Sequence, residues 1–76
     1  MLGIMSIDFR KKVGLRIRRE RLYQKKSQVE LSGLAGISQD NLSKIERGLQ
    51  EPSLGTLLKI ADALHLKLYD LIKDVD

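Results

Sequence analysis

The sequence contains no cysteine and no tryptophan, and its 76 residues include only one phenylalanine, two tyrosines, one histidine and one proline. The absence of cysteine excludes disulfide bonds, thiolate nucleophiles and cysteine-based metal sites. Because aromatic residues are so few, the core must be built mainly from Leu, Ile, Val and Ala, a composition that favours helices. A chain of this length can hold one core, so we expect residues 1–76 to form a single domain.

A long apolar run is also absent. The apolar N-terminal stretch ends at Asp8, and no basic residue precedes it, so we expect neither a signal peptide nor a membrane span and place the protein in the cytoplasm. The chain has no paired carboxylates on a shared helix face, and with one histidine it offers little for general acid–base or metal chemistry. We therefore expect no enzymatic activity, no cofactor and no metal site.

Basic residues are concentrated near one end of the chain. Residues 10–26 contain nine basic residues and one acidic residue, a net charge of +8, whereas residues 62–76 carry a net charge of −2. A basic segment of this kind suits a polyanionic partner such as DNA. The alternative is that these charges form an exposed helix face that only keeps the protein in solution.

Hydrophobic periodicity predicts five helices joined by short turns and no strand. In the first helix, from Asp8 to about Gln24, the apolar positions are Phe9, Val13, Ile17 and Leu22. Asp8 is placed to cap this helix or to complement its dipole. Gly14 lowers the helix propensity by about 1 kcal/mol relative to Ala, which indicates a close packing contact at this position.

Serine residues are the predicted N-caps of the next three helices, namely Ser27, Ser38 and Ser53. Glu30 completes a capping box with the first of them, and Gly36 and Gly48 end the second and third helices. In the fourth helix, five apolar residues recur at helical spacing and are predicted to face the core: Leu54, Leu57, Leu58, Ala61 and Leu64. The short fifth helix carries Leu68, Leu71, Ile72 and Val75. His65 is expected to cap the last carbonyls of the fourth helix.

The second and third helices have the pattern of a helix-turn-helix unit, which is two short helices joined by a turn that often contains Gly. Apolar residues occupy the positions where the two helices meet: Leu31, Ala35, Ile37, Leu42 and Ile45. The small Ser32 lies where the helices approach most closely. Gly36 supplies the positive φ that the turn requires.

Four segments strengthen this interpretation: SQVEL at 27–31, AGIS at 35–38, LSKIERG at 42–48 and EPSLGTLLKIADAL at 51–64. With them the sequence resembles the lambda-repressor-like helix-turn-helix domains, also called the Cro/C1 or XRE family. The resemblance covers roughly Val13 to Ile72 and implies an all-α, compact five-helix DNA-binding domain. We place the core of this domain at about 8–73 and an N-terminal arm at 1–7. The resemblance further implies a transcriptional regulator, most often a dimeric repressor that binds a pseudo-palindromic operator.

The second helix of such a unit lies in the major groove with its N-terminal residues at the base edges. We therefore expect Gln39, Asp40 and Lys44 to read bases, through adenine, cytosine and guanine respectively. An alternative role for Asp40 is to complement the helix dipole. The resemblance implies a phosphate contact from Gln28, because members of the family place a Gln at the start of the helix before the reading helix. Further contacts to the DNA backbone or flanking positions are expected from Ser38, Asn41, Ser43, Arg47 and Lys26.

One charged pair is expected to be structural. In some members of the family an Arg of the first helix pairs with the Glu of the I-E-x-G segment, and the resemblance transfers this pair to Arg21 and Glu46. Such a pair would join the first and third helices.

Apolar residues outside the expected core predict contacts between molecules. Tyr69, Leu68 and Ile72 on the fifth helix are the candidates for a two-fold dimer contact, joined by the apolar residues of the arm. Leu34 and Leu49 are further apolar residues near the reading helix. Other interpretations are an antitoxin, a regulator with a toxin or antirepressor as protein partner, and a protein-interaction adaptor that no longer binds DNA.

Overall fold

The computed structural model describes residues 5–73, so Leu2, Ile4 and Val75 lie outside the described residues. Five α-helices follow one another, α1 (Ile7–Tyr23), α2 (Gln28–Ala35), α3 (Gln39–Glu46), α4 (Leu54–Ala63) and α5 (Leu68–Ile72). Residues 5–73 contain no strand, and the predicted five-helix, all-α fold is confirmed. No helix in this range has the length and apolar character needed to cross a membrane.

Serine caps start the first four helices. The side-chain oxygens of Ser6, Ser27, Ser38 and Ser53 each accept a hydrogen bond from the backbone N–H three residues further on. The first helix is therefore capped by Ser6, while Asp8 lies in its first turn, where a carboxylate complements the helix dipole. In α2, Glu30 closes the predicted capping box, and the hydrogen bond from the Ser27 backbone N–H lowers the pKa of its carboxyl.

Eleven apolar side chains form one core: Val13, Ile17, Leu31, Ala35, Leu42, Ile45, Leu57, Ile60, Ala61, Leu64 and Leu71. Two predictions of inward-facing residues in this region were wrong. In α1 the four-residue spacing continues from Ile17 to Arg21, so Arg21 is buried and Leu22 is 50% exposed. In α4 the buried face passes through Ile60, which leaves Leu54 and Leu58 exposed.

Residues with a left-handed backbone conformation follow the first four helices. Gly36 and Gly48 have φ values of 71° and 73°, and Lys25 and His65 adopt the same conformation with φ values of 58° and 60°. His65 caps α4 through its backbone, because its N–H donates to the Asp62 carbonyl at 3.0 Å. These turns keep the connections between helices short.

Helix α1 crosses α3 at Gly14, where the sequence predicted a close packing contact without identifying the partner. A Cβ atom at this residue would meet the carbonyl oxygens of Ile45 and Glu46, the latter at 2.6 Å. Only glycine allows the two backbones to approach so closely. The last turn of α3 therefore lies directly against α1.

The same region contains a buried ion pair. Arg21 Nε and Nη2 donate to Glu46 Oε2 and Oε1 at 2.7 and 3.0 Å, and Arg21 Nη1 donates to the Lys26 carbonyl at 2.9 Å. Gln28 Nε2 also donates to Glu46 Oε1, at 3.1 Å. Both charged residues are buried, and the hydrogen bonds with Glu46 raise the pKa of the Arg21 guanidinium. One carboxylate thus joins α1, α2 and α3.

Replacing Gly14 with alanine should destabilise the domain by about 1–3 kcal/mol, because the added methyl group would collide with backbone carbonyls that cannot move alone. Gly33→Ala is the matched control. No atom lies within 4 Å of its added Cβ, so this variant should gain about 0.5–1 kcal/mol from better helix propensity. Urea unfolding measures both, and equal effects of the two variants would contradict the close contact at Gly14.

Glu46→Gln should lower the free energy of unfolding by about 3–5 kcal/mol, because it leaves the buried Arg21 charge uncompensated. The control is Glu20→Gln. Its carboxylate lies 3.7 Å from Arg16 Nε in a half-exposed i,i+4 pair, so about 0.5 kcal/mol or less should be lost. If Glu46→Gln is too unstable to measure, replacing both partners with apolar residues should restore much of the stability. A cost no larger than that of Glu20→Gln would contradict the structural role of the pair.

Candidate nucleic-acid interface

Helix α3 has one buried face and one exposed polar face. Leu42, Ile45 and Glu46 are buried, whereas Asp40, Lys44 and Arg47 point away from the core. At 3.6 residues per turn the three exposed residues fall on one side of the helix. The structure therefore presents a continuous polar surface along α3, held from behind by the core and by the Arg21–Glu46 pair.

The remaining polar residues of α3 lie beside this surface. Gln39 is exposed in the first turn, and the half-buried Ser43 lies one turn further along the same flank. Asn41 is half-buried on the other flank, about 60° around the helix from Lys44. Ser38 caps the helix by accepting the Asn41 backbone N–H at 3.0 Å.

Two of the predicted base-reading residues pair with each other. Lys44 Nζ lies 3.0 Å from Asp40 Oδ2, and the two side chains are 46% and 74% exposed. An exposed i,i+4 pair of this kind contributes only about 0.3–0.5 kcal/mol. Contacts of comparable strength with another molecule can therefore replace it at little cost.

Two residues that were predicted to contact the DNA backbone instead contact other residues of the protein. Lys26 Nζ donates to Gln24 Oε1 at 2.7 Å, and the amide of Gln28 is half-buried against Glu46. Arg47, by contrast, is exposed at the end of α3, and its Nε donates to the Ser43 carbonyl at 3.3 Å. Arg47 is thus the most exposed of the predicted phosphate-binding cations on the unit.

Sequence reasoning missed Gln50, which lies in the connection between α3 and α4. Its Nε2 donates to Asn41 Oδ1 at 2.6 Å, across nine residues of sequence. The signal that could have found it is Gly48, whose left-handed turn directs the following residues back along α3. Lys11 lies on the other side of this turn, since a Cβ at Gly48 would meet Lys11 Cγ at 2.6 Å.

The predicted dimer residues lie away from α3, on a helix that contacts α1 and α4. Tyr69 is 67% exposed, and the ammonium of Lys73 lies 6.0 Å from its ring centroid. Leu68 and Ile72 are half-buried and line a groove of about 570 Å³, here called the α5 groove, together with Met5, Ser6, Phe9, Leu54 and Leu57. Met5, from the expected arm, donates its backbone N–H to Glu51 Oε1 at 3.1 Å.

Acidic residues and the single histidine do not converge on a metal site. Within residues 5–73 no three His, Cys, Asp or Glu side chains come together in an arrangement that could hold a metal ion.

Two curated relatives come from Sinorhizobium fredii (strain NBRC 101917 / NGR234), and both are named as uncharacterized HTH-type transcriptional regulators. One, y4dL, is 48% identical over 52 residues, which are 68% of this chain and 26% of the relative. The other, y4dJ, is 36% identical over 70 residues, which are 92% of this chain and 91% of the relative. The chain therefore spans about a quarter of the length of the first relative and most of the second.

Solved structures show the same arrangement of helices. The restriction-modification controller protein C.AhdI from Aeromonas hydrophila has a TM-score of 0.80 and 34% identity, covering 82% of this chain and 94% of that chain. SinR from Bacillus subtilis, the master regulator for biofilm formation, is solved in complex with DNA, with a TM-score of 0.76, 35% identity, and coverage of 80% and 98%. SinR is also solved in a complex with the SinI protein.

A family model described as Helix-turn-helix matches residues 17–71 of the chain, which include the described helices α2, α3 and α4 in full. The match covers more than half of the sequence, and the resemblance to Cro/C1-type domains predicted from the motifs is confirmed. The chain belongs to the helix-turn-helix family of transcriptional regulators.

Proposed function

We propose that this protein is a sequence-specific double-stranded DNA-binding transcriptional regulator that places α3 in the major groove. The observation that carries the proposal is the exposed polar face of α3 on a unit whose opposite face is fully anchored in the core. A helix that reads bases must present polar side chains while its own position stays fixed. The eight residues of α3 meet both requirements.

Charge supports the proposal. Residues 10–26 carry a net charge of +8 and include all of α1 from Arg10 onward. The stem of Lys11 lies against Gly48, just beyond α3, so part of this charge is next to the reading unit. Such a surface attracts DNA over long distances and releases counterions on binding. SinR, with 35% identity, supports the same mode because it is solved with DNA bound.

Each polar residue then has a role. Gln39, Asp40 and Lys44 read base edges, which requires the Asp40–Lys44 pair to open. Contacts to phosphate or to flanking positions come from Gln28, Ser38, Asn41, Ser43, Arg47 and Lys26. Among these, Lys26 must first leave Gln24, whereas Arg47 is exposed and must give up the bond from its Nε to the Ser43 carbonyl.

The finer part of the proposal is a homodimer that binds a pseudo-palindromic operator as a repressor or autoregulator, in the cytoplasm and on the nucleoid. Tyr69, with Leu68 and Ile72 beside the α5 groove, forms the dimer contact, because this apolar surface lies away from α3 and leaves it accessible. Binding of a second protein, such as a toxin or antirepressor, would be a further means of regulation. No enzymatic activity or cofactor belongs to the proposal.

Selection of binding sites from random duplex DNA tests the reading role. Gln39→Ala should relax the preference at one base pair and weaken binding of the selected duplex by about 1–3 kcal/mol. Arg47→Ala should weaken binding to all sites alike. It should also reduce the slope of log affinity against log salt concentration by about 1, the value expected for one phosphate contact. If no sequence is enriched, or if both variants change affinity and salt dependence equally, base reading by α3 is wrong.

Analytical ultracentrifugation tests the dimer. The wild-type protein should sediment as a dimer with its selected duplex, and Tyr69→Ala should shift it toward the monomer because aromatic contact area is lost. Tyr23→Ala is the control, since Tyr23 is 84% exposed at the end of α1 and should leave the dimer intact. A wild-type protein that stays monomeric with and without DNA would contradict this interface.

A further inference from the structure

Asn41 and Gln50 form a side-chain pair at the edge of the α3 surface. Gln50 Nε2 donates to Asn41 Oδ1 at 2.6 Å, and the pair is exposed to solvent. Gln50 is exposed and Asn41 is half-buried. A solvent-exposed bond between their amides adds little stability, because water competes for both partners. Its main consequence is therefore the orientation that it gives to the two side chains.

The backbone at the end of α3 makes this pair possible. Gly48 donates its N–H to the Ile45 carbonyl at 3.0 Å, and Leu49 donates to the Lys44 carbonyl at 2.9 Å. With φ of 73° at Gly48, this is the Schellman ending, which reverses the chain along the helix it closes. Gln50 is thereby carried back alongside α3, close enough to reach Asn41.

The hydrogen bond leaves the Asn41 amide with a defined chemistry. An asparagine side chain has one carbonyl oxygen as acceptor and one NH₂ group with two donor hydrogens. Because Oδ1 accepts from Gln50, the NH₂ group is the part of the amide directed away from Gln50. Asn41 lies about 60° around the helix from Lys44, so this NH₂ group is a second donor beside the Lys44 ammonium, at the edge of the α3 surface.

We propose that Gln50 is a positioning residue for DNA recognition, which holds the Asn41 amide so that its NH₂ group donates to an acceptor on DNA. The acceptor is the guanine edge, which presents O6 and N7, or a phosphate oxygen. The inference rests on the proposed function. The pair also orders two side chains before DNA arrives, which lowers the entropy lost on binding.

A double-mutant cycle tests the coupling. Affinity for the duplex selected by the wild-type protein is measured for Asn41→Ala, Gln50→Met and the double variant, with Gln39→Ala as a reference for base reading. Methionine keeps the length of Gln50 but cannot donate. Asn41→Ala should weaken binding about tenfold, and Gln50→Met about threefold to tenfold. The double variant should be no weaker than Asn41→Ala, because Gln50 acts only through Asn41.

Two further measurements separate positioning from a structural effect and identify the acceptor. Gln50→Met should leave the urea midpoint unchanged, since the pair is exposed. Asn41→Asp keeps the acceptor for Gln50 but has no donor for DNA, so it should bind at least as weakly as Asn41→Ala. A change of preference at one base pair in Asn41→Ala assigns the contact to guanine, and uniform weakening with an unchanged salt slope assigns it to phosphate.

The outcomes separate this inference from the proposed function. If the wild-type protein selects a sequence and Gln39→Ala relaxes it, while the losses from Asn41→Ala and Gln50→Met simply add, the positioning role is wrong and DNA binding stands. An Asn41→Asp variant that binds as well as the wild-type protein would also overturn the inference. Failure of the wild-type protein to select any sequence would instead overturn the proposed function.

Discussion

Arg21 and Glu46 form a buried ion pair at the point where α1, α2 and α3 meet. Glu46 is the last residue of α3, and its carboxylate also accepts a hydrogen bond from the side-chain amide of Gln28 at the start of α2. The Arg21 guanidinium also donates a hydrogen bond to the Lys26 carbonyl, so the same side chain stabilises the turn between α1 and α2. A buried ion pair specifies orientation more surely than it adds stability, and orientation is what a reading helix needs.

The close approach at Gly14 allows this pair to form. Since the α1 backbone lies against the carbonyls of Ile45 and Glu46, the side chain of Arg21 reaches Glu46 from two helical turns further along. The opposite side of α3 carries only weak interactions between exposed side chains, including the Asp40–Lys44 pair. Strong contacts thus anchor one face of the helix, while the other face remains free to exchange its partners.

Local features of the fold could be predicted from the sequence because they depend on neighbouring residues. The capping box of Ser27 and Glu30 and the left-handed turns at Gly36 and Gly48 are examples, since a cap or a positive φ is set within a few residues. The buried position of Arg21 was predicted only as part of a family pair. The apolar pattern favoured Leu22, because hydrophobicity alone does not show that a charged residue is neutralised across the core.

The candidate site was less accessible to sequence reasoning. That α3 would carry the polar surface follows from its period, but the partners of its side chains do not. Lys26 faces Gln24, and Gln50 reaches Asn41, because the turns after α1 and α3 redirect the chain. Side-chain partners of this kind depend on the path of a loop and on rotamers, neither of which hydrophobic periodicity encodes.

Chemical-shift mapping of the ¹⁵N-labelled protein during titration with its selected DNA duplex tests directly whether α3 is the DNA-reading helix. If it is, the largest changes should occur at the backbone amides of residues 27–28 and 38–47 and at the side-chain amides of Gln39, Asn41 and Gln50. The backbone amides of the core residues on the other helices should show the smallest changes in chemical shift. Changes centred on the α5 groove, with the amides of α3 unaffected, would contradict the assignment of α3 as the DNA-reading helix.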